Sequence, residues 1–518
     1  MVVSLFVLGV ICVIAIANPV IDLRGIREEV LRVFWLSMLG CLMLGGRAIW
    51  SRPPAAYWFV VLGAAFAAPF VLFAHAFGQF NLFSLLFHME FGTEGASLAG
   101  LEDSFAVAVL GCGFFALCVL WTKTLFNLRK PFLYAMFVVI VAINPITRFG
   151  LFYYTAPVAN DILSARIAAP VVRDAPPKPD VMVIYLEGIE RGFADREIYG
   201  DVYAPLDDWI ARGVEFTNVD EVEGTQWSIA GLAATLCGLP LLPNGLRFRN
   251  NFTDQAEFLT DHTCLSDILA EREYNLSFLK GTDKSFAGFD HMLTSHGFAD
   301  VMDKQAIAAK HPEDEVAAAT AGWTIDDQLL LKTARAEYLA QTASPDPIAM
   351  MIETIGPHGT SSALSRDCSD DGQAHETTDV VAAVECTLDA VGRFLTFLDD
   401  NRQDRPTVVL LMSDHLNHSP KIMRDLDRDI RRNTVVFIGL GFESPVGIAT
   451  GQIAQHATML DVYPTTLAWL GLAAKDARAG LGVSLFGTQK TLIEEFGRDG
   501  LDAQLIPNPA LSQRIWGN

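Results

Sequence analysis

The apolar positions of this chain change from long unbroken runs to short ones near residue 150. Five apolar segments occupy, roughly, residues 2–18, 33–46, 57–77, 104–122 and 131–147. Most of them approach the ~20 residues that a helix needs to cross the hydrocarbon core of a bilayer, and the segment at 33–46 is the least clear. A single cleaved signal peptide does not explain an apolar pattern that returns several times. We therefore predict a transmembrane domain of about five helices over residues 1–150.

The short loops between these segments predict their orientation. Basic residues lie in the second and fourth loops, at Arg47, Arg52, Lys123, Arg129 and Lys130. The third loop, residues 78–103, is acidic instead. Because basic loops stay in the cytoplasm, the chain after about residue 150 is predicted to lie outside. The arginines of the first loop oppose this orientation mildly.

Short apolar runs of strand length alternate with helical patterns after a proline-rich linker at 151–180. The strand-like runs cover 181–186, 275–279, 348–355, 407–412 and 434–440. Helical patterns fill 202–212, 264–273, 325–340 and 378–400. Buried strands that alternate with helices indicate a mostly parallel sheet covered by helices on both faces. We predict one such α/β domain over residues 181–518.

Composition and charge narrow the class of partner. The chain has 518 residues, of which 51% are hydrophobic and 19% charged, and its formal net charge is −22. This length predicts at least two structural units. The acidic balance and the absence of a long Lys/Arg block exclude a nucleic-acid partner, because neutralising phosphates requires a basic surface.

The cysteines divide between the two parts of the chain. Four of the eight lie in the apolar segments and are expected to be small buried side chains. The other four form two pairs that are close in sequence, which suggests Cys237–Cys264 and Cys368–Cys386 disulfides in an oxidising compartment. Four unpaired thiols are the alternative.

Functional side chains are expected just after the carboxyl ends of the predicted strands. Glu187 follows the first strand, His358 follows the run at 348–355, and Asp414 and His415 follow the run at 407–412. All four can bind a metal or carry a proton. The topology is expected to bring them to one edge of the sheet.

Thr225 precedes a helix of small residues predicted at about 228–236. A hydroxyl near a helix N-terminus lies where an anion such as phosphate is favoured. Glu187, Asp414 and His415 could bind one divalent ion together with the Thr225 oxygen, which would activate that hydroxyl. Such mixed oxygen and nitrogen ligands favour Mn²⁺, with Zn²⁺ or Mg²⁺ as alternatives. An isolated threonine at this position is more often an ordinary N-cap.

Several short motifs resemble, in order and spacing, the alkaline phosphatase/sulfatase superfamily. More narrowly, they resemble its branch of membrane-anchored transferases, which contains lipoteichoic acid synthase, lipid A phosphoethanolamine transferases and phosphoglycerol transferase I. The resemblance covers about residues 180–480 and is most detailed with the phosphoglycerol transferase I branch. The matching stretches are Glu187-Gly188, Glu223-Gly224-Thr225, Ile229-Ala230-Gly231, Cys237-Gly238-Leu239-Pro240-Leu241, Cys264-Leu265-Ser266-Asp267-Ile268-Leu269, Phe286-Ala287-Gly288, Ser295-His296-Gly297-Phe298 and Ser413-Asp414-His415-Leu416.

This resemblance implies roles for individual residues. Glu187, Thr225, Asp414 and His415 correspond to the family's metal ligands, and Thr225 also to its nucleophile. His358 corresponds to a histidine that contacts the phosphate or the leaving group.

The expected substrate contacts are Lys280, Trp227, Ser228 and His358. Lipoteichoic acid synthase has a histidine at the position of Lys280 and a tryptophan and an arginine near 287–289. This chain departs from that pattern, so its contacts with the headgroup need not be those of that enzyme.

The resemblance also implies the reaction. Thr225 would take a phosphoglycerol headgroup from phosphatidylglycerol, releasing diacylglycerol, and an acceptor hydroxyl on a periplasmic glucan would then remove it. The expected setting is the bacterial inner membrane, with several spans and a periplasmic catalytic domain. Its partners would be the lipid bilayer, the phospholipid donor and the glycan acceptor. The alternatives are a phosphoethanolamine transferase to lipid A or glycan, a phosphodiesterase or phosphatase of the same fold, and a non-enzymatic membrane sensor.

Overall fold

The computed structural model describes most of the chain after residue 160. The described residues are 131, 134, 135, 138, 161–174, 178–242, 258–299, 301–359, 362–426, 429–506 and 508–517. The five predicted spans lie outside these residues, apart from four positions at the start of the fifth. None of the helices within the described ranges is both long and apolar enough to cross a membrane. The multi-span domain and the boundaries at 150 and 180 stay predictions.

The described residues belong to two compact units. One includes Pro157–Asn417 and Asp425–Asn518, and it contains every residue of the candidate site described below. The other includes His418–Arg424.

An eight-stranded sheet forms the centre of the larger unit, and shorter strands pair beside it. The strands of the described residues are β1 Asp180–Leu186, β2 Gly213–Phe216, β3 Val219–Asp220, β4 Asn275–Lys280, β5 Val301–Met302, β6 Thr320–Ala321, β7 Thr324–Ile325, β8 Ile348–Glu353, β9 Ser362–Leu364, β10 His375–Thr377, β11 Thr407–Ser413, β12 Val435–Leu440, β13 Gly451–Ile453, β14 Ala457–Thr458, β15 Arg478–Ala479 and β16 Gly482–Val483. The order in the large sheet is β13-β2-β12-β11-β1-β8-β4-β5.

The strands of this sheet run mostly in one direction. β11, β1, β8, β4 and β5 are parallel neighbours, whereas β12 is antiparallel to both β11 and β2. Every residue of β1, β8 and β11 is buried. Because successive side chains point to opposite faces, both faces of these strands must be covered. The predicted α/β domain with a mostly parallel sheet is confirmed.

Helices lie between the strands, as the sequence pattern predicts. They are α1 Arg196–Tyr199, α2 Ala204–Ala211, α3 Ser228–Cys237, α4 Leu265–Glu271, α5 Phe289–Ser295, α6 Lys304–Ala308, α7 Glu313–Ala318, α8 Asp327–Gln341, α9 Val380–Asn401, α10 Pro420–Asp425, α11 Val462–Trp469, α12 Leu492–Phe496, α13 Arg498–Leu505 and α14 Pro509–Trp516. Helix α9 shows the physical basis, since its buried residues recur at helical spacing from Val380 to Leu398. Asp379 caps its first turn by accepting the Ala382 N–H.

Both predicted disulfides are present. Cys237–Cys264 joins the last residue of α3 to the residue before α4. Cys368–Cys386 joins a short turn at Arg366–Cys368 to helix α9. The first disulfide therefore anchors the far end of the helix whose first turn lies in the candidate site.

Candidate functional site

Three predicted residues meet where β1 and β11 end side by side. Leu186 is paired with Ser413 in the parallel register, so Glu187 and the pair Asp414-His415 leave the sheet as neighbours. The His415 Nε2 lies 3.3 Å from a Glu187 oxygen and 3.2 Å from Asp414 Oδ2. All three residues are at most 4% exposed.

This cluster has the donor atoms of a site for one divalent cation. One ligand atom from each of Glu187, Asp414 and His415 lies within 4.8 Å of the others. The His415 Nδ1–H donates to the carbonyl of Leu416 at 2.8 Å, so Nε2 is the ring nitrogen directed at the two carboxylates. Asp414 Oδ1 accepts the Gly188 N–H, whereas Asp414 Oδ2 has no hydrogen-bond partner. A ring nitrogen and an unpaired carboxylate oxygen that face one another are suited to a cation between them.

The pKa shifts of Glu187 and His415 also favour a bound cation in this cluster. Burial and the neighbouring Asp414 raise the pKa of Glu187. Burial alone would lower the pKa of His415, but Asp414 and Glu187 outweigh it and raise that pKa. Each shift means that the cluster attracts additional positive charge. The residues present therefore fit a divalent metal, and their mixed oxygen and nitrogen donors are compatible with Mn²⁺ or Zn²⁺.

Ser228 supplies the hydroxyl beside this cluster. It is the first residue of helix α3, and its Oγ donates to a Glu187 oxygen at 3.3 Å and lies 3.4 Å from the His415 Nε2. The N-terminus of a helix also presents free N–H groups and positive potential to a phosphate. The arrangement can therefore bring a phosphate oxygen within hydrogen-bond reach of the Ser228 hydroxyl.

Thr225, the predicted nucleophile and metal ligand, has its hydroxyl in a different arrangement. It is fully buried, and its Oγ1 donates to the Val222 carbonyl at 2.8 Å and accepts the Val222 N–H at 3.1 Å. Such local bonds between a threonine and nearby backbone stabilise a turn. The roles of Thr225 as nucleophile and metal ligand stay predictions, and Ser228 is the hydroxyl in hydrogen-bond contact with Glu187.

Lys280 lies at the end of β4 and forms a buried ion pair. Its ammonium is 3.1 Å from a Glu353 oxygen at the end of β8, and both side chains are 3% exposed. The same ammonium lies 3.1 Å from the centre of the Phe289 ring, where a cation–π attraction is expected. Burial lowers the pKa of Lys280, although Glu353, Glu187 and then Asp414 act to raise it. Lys280 thus places a positive group at the same sheet edge as the cluster.

Asn417 joins the loops that carry the site. Its side-chain amide donates to the Gly188 carbonyl at 3.0 Å and to the Pro357 carbonyl at 3.4 Å. Its own carbonyl accepts from the Arg431 guanidinium, which is paired with the fully buried Glu190. One side chain therefore links the loop after β1, the loop after β11 and the loop that carries His358.

His358 lies in the loop after β8 and is half-buried. Asp327, at the start of α8, holds this loop by accepting the N–H groups of Ile355 at 2.8 Å and Gly356 at 3.0 Å. The Thr387 hydroxyl donates to the same carboxylate at 2.7 Å. His358 is thus carried by a fixed loop that Asn417 connects to the loop of Asp414 and His415.

Trp227 and Glu221 also lie in the segment that leads into helix α3. Trp227 precedes α3 in an extended conformation and is only 5% exposed. Glu221, which the sequence prediction missed, accepts the Leu416 N–H at 2.8 Å. Burial raises the pKa of Glu221 to about 7, although that hydrogen bond acts to lower it. Its place in the acidic segment before Thr225 was the only signal available in the sequence.

Comparisons with known proteins identify the family to which this chain is similar. A family model described as Sulfatase matches residues 179–472. A protein named phosphoglycerol transferase I from Xanthomonas campestris pv. campestris is 26% identical over 422 residues, which is 77% of this chain and 58% of that protein. A protein of the same name from Escherichia coli is 26% identical over 300 residues, 55% of this chain and 37% of that protein. The resemblance inferred from the motifs is confirmed.

This chain spans about half the length of the curated relatives it matches. Among solved structures, the integral membrane protein lipooligosaccharide phosphoethanolamine transferase A from Neisseria meningitidis is similar with a TM-score of 0.48 and 13% identity. That match covers 90% of this chain and 95% of the other.

Proposed function

Because the chain belongs to the sulfatase family, we propose that it is a metal-dependent transferase that moves phosphoglycerol from phosphatidylglycerol to a glycan. The observation that carries this proposal is the buried cluster of Glu187, Asp414 and His415 at the N-terminus of α3, the helix that Thr225 precedes. Two relatives named phosphoglycerol transferase I support the choice of headgroup. Sulfatases use a Cys/Ser-x-Pro-Ser-Arg string at the nucleophile, and the sequence contains no such string.

Glu187, Asp414 and His415, together with the Thr225 oxygen, would hold the metal ion, with Mn²⁺ favoured over Zn²⁺ and Mg²⁺. When bound, the ion supplies positive charge that lowers the pKa of a nearby hydroxyl and stabilises developing negative charge on phosphate oxygens. The chain's own groups provide the rest. The N-terminus of α3 faces the phosphate with free N–H groups, and Lys280 adds a positive charge at the sheet edge.

In the first step, the Thr225 Oγ1 attacks the phosphorus of phosphatidylglycerol. A bond forms between Oγ1 and phosphorus, and the bond between phosphorus and the diacylglycerol oxygen breaks. The departing oxygen takes up a proton in place of the one that Thr225 loses, and His358 is the proposed carrier. In the second step, a glycan hydroxyl attacks the phosphothreonine and loses its proton, and Thr225 regains a proton and returns to its free form.

The glycan is proposed to be a periplasmic glucan, and the site is proposed to lie on the periplasmic side of the inner membrane. The apolar segments before residue 150 would anchor the enzyme in the bilayer beside its lipid donor. The two disulfides support an oxidising compartment. Residues 1–150 are proposed as the membrane domain, 151–180 as the linker and 181–518 as the catalytic domain.

The test uses the purified full chain with radiolabelled phosphatidylglycerol and phosphatidylethanolamine in mixed micelles containing Mn²⁺. We expect diacylglycerol to be released from phosphatidylglycerol and this release to stop after chelation of the metal. Release from phosphatidylethanolamine alone would contradict the proposed headgroup and favour a phosphoethanolamine transferase. Product that appears only as free glycerol phosphate when glycan is supplied would indicate a phosphodiesterase.

A further inference from the structure

The ring of Trp323 contacts the rings of Phe286 and His358 outside the cluster of Glu187, Asp414 and His415. The ring of Trp323 lies 5.4 Å from that of Phe286 and 5.1 Å from that of His358, with interplanar angles of 54° and 75°. All three side chains are half-buried. We call these three residues the aromatic cluster.

The aromatic cluster lies at the edge of the sheet where the reaction is proposed to occur. Phe286 follows β4, and His358 follows β8. The loop of His358 is bonded through the Pro357 carbonyl to Asn417, two residues beyond His415. A molecule that stacks on Trp323 therefore lies next to His358 and close to the loop that carries the cation ligands.

Trp323 is held in place by its surroundings. It lies at the turn of a hairpin in which β6 and β7 pair antiparallel. The Lys304 ammonium donates to the Trp323 carbonyl at 3.0 Å. At the same turn, Gly322 has φ +54°, a backbone conformation that residues with a Cβ rarely adopt. A large aromatic side chain that is fixed yet half-exposed is preorganised for binding rather than required for the core.

We infer that the aromatic cluster is the acceptor subsite and that it binds one pyranose ring of the glycan against Trp323. The carbon-bound hydrogens on one face of a sugar ring carry partial positive charge and are attracted to the negative face of an aromatic ring. Polar groups border the cluster, since Gln305 donates to Asp283 at 3.3 Å and Lys304 reaches the hairpin. This combination suits a sugar, which presents an apolar face and a rim of hydroxyls. A lipid acyl chain would instead require a continuous apolar surface.

This inference rests on the proposed function, so the test has one arm that depends on catalysis and one that does not. In the first arm, transfer from phosphatidylglycerol is measured with methyl β-glucoside and with glycerol as acceptors. Glycerol offers hydroxyls but no ring face. We expect Trp323→Ala to raise the KM for the glucoside about tenfold while the KM for glycerol changes less than about twofold, and Trp323→Phe to keep most of the preference.

Trp209→Ala is the matched control, because Trp209 lies on α2 and has its indole stacked with Arg212. We expect this variant to keep the wild-type preference for the glucoside. Trp323→Ala with an unchanged preference would overturn the subsite, and so would an equal loss with both acceptors.

In the second arm, saturation-transfer NMR detects methyl β-glucoside bound to the Thr225→Ala protein, with and without Trp323→Ala. We expect the transfer signal to be lost with Trp323→Ala. A signal that persists without Trp323 would overturn the subsite even if phosphatidylglycerol proves not to be the donor. Absence of diacylglycerol release from phosphatidylglycerol with a Trp323-dependent sugar signal would contradict the proposed function and leave the sugar subsite standing.

Discussion

Replacing Asn417 by alanine removes the amide that joins the loop of Glu187 to the loop of His358. The amide donates to the Gly188 carbonyl at 3.0 Å and to the Pro357 carbonyl at 3.4 Å, and Asn417 is 1% exposed. Leaving a buried carbonyl without a donor costs about 1–3 kcal/mol, and the longer bond should contribute less. We therefore expect the free energy of unfolding to fall by about 2–3 kcal/mol.

The same substitution should weaken metal binding although Asn417 is not a ligand. Gly188 directly follows Glu187, and its N–H holds one oxygen of Asp414 at 2.9 Å. Loss of groups that orient metal ligands reduces metal affinity about 10–100-fold. We expect this loss in Asn417→Ala when Mn²⁺ affinity is measured by isothermal titration calorimetry on the full chain in detergent.

Asn508→Ala provides the matched control. The Asn508 amide also donates twice, to Asp161 at 3.1 Å and to the Gln504 carbonyl at 3.0 Å, but it caps helix α14. We expect this variant to lose stability while its Mn²⁺ affinity stays within about twofold of wild type. The reasoning is refuted if Asn417→Ala loses stability but binds Mn²⁺ as tightly as Asn508→Ala does.

Three further predictions follow from the charges and the disulfide. Mn²⁺ affinity should fall up to about tenfold per pH unit as the pH is lowered through neutrality. Burial lowers the pKa of His415, but Asp414 and Glu187 outweigh it and raise that pKa, so the histidine holds a proton that the metal must displace. An affinity that stays constant in calorimetry at several pH values would contradict this prediction. Glu353→Gln should lower the free energy of unfolding by about 3 kcal/mol, since it leaves the buried Lys280 without its ion-pair partner, and chemical denaturation should show a smaller loss when both are replaced by apolar residues. Replacing both cysteines of the 368–386 disulfide by serine should cost about 3 kcal/mol, because the bond closes a loop with a sequence separation of 18, and unchanged thermal stability would contradict that account.

The fold and the cation cluster could be predicted because they depend on local patterns. Apolar runs of strand length indicated β1, β8 and β11, and polar residues directly after β1 and β11 indicated Glu187, Asp414 and His415. Parallel neighbours bring such strand ends together wherever the sheet is formed. The direction of β12 was less accessible, because an apolar run does not encode whether the strand runs parallel or antiparallel to its neighbour.

Pairings between distant segments were not accessible from the sequence. The ion pair of Lys280 with Glu353 exists because β4 and β8 are neighbours, and Glu353 by itself was one polar residue at the end of an apolar run. The contacts of the two hydroxyls in the segment before α3 were not accessible either. Ser228 begins the helix and contacts Glu187, whereas the Thr225 hydroxyl bonds to the backbone of Val222, and both contacts are properties of the folded backbone.

The most direct test of the account is to identify the residue that carries the phosphoglycerol. The full chain is incubated with phosphatidylglycerol and Mn²⁺ without acceptor, quenched in acid, digested with trypsin and analysed by mass spectrometry. Thr225 and Ser228 lie in one tryptic peptide, between Arg212 and Arg247, so fragment ions that separate the two residues decide the assignment. We predict the added mass on Thr225, its loss in Thr225→Ala and its persistence in Ser228→Ala. An adduct on Ser228 that survives Thr225→Ala would contradict the central claim.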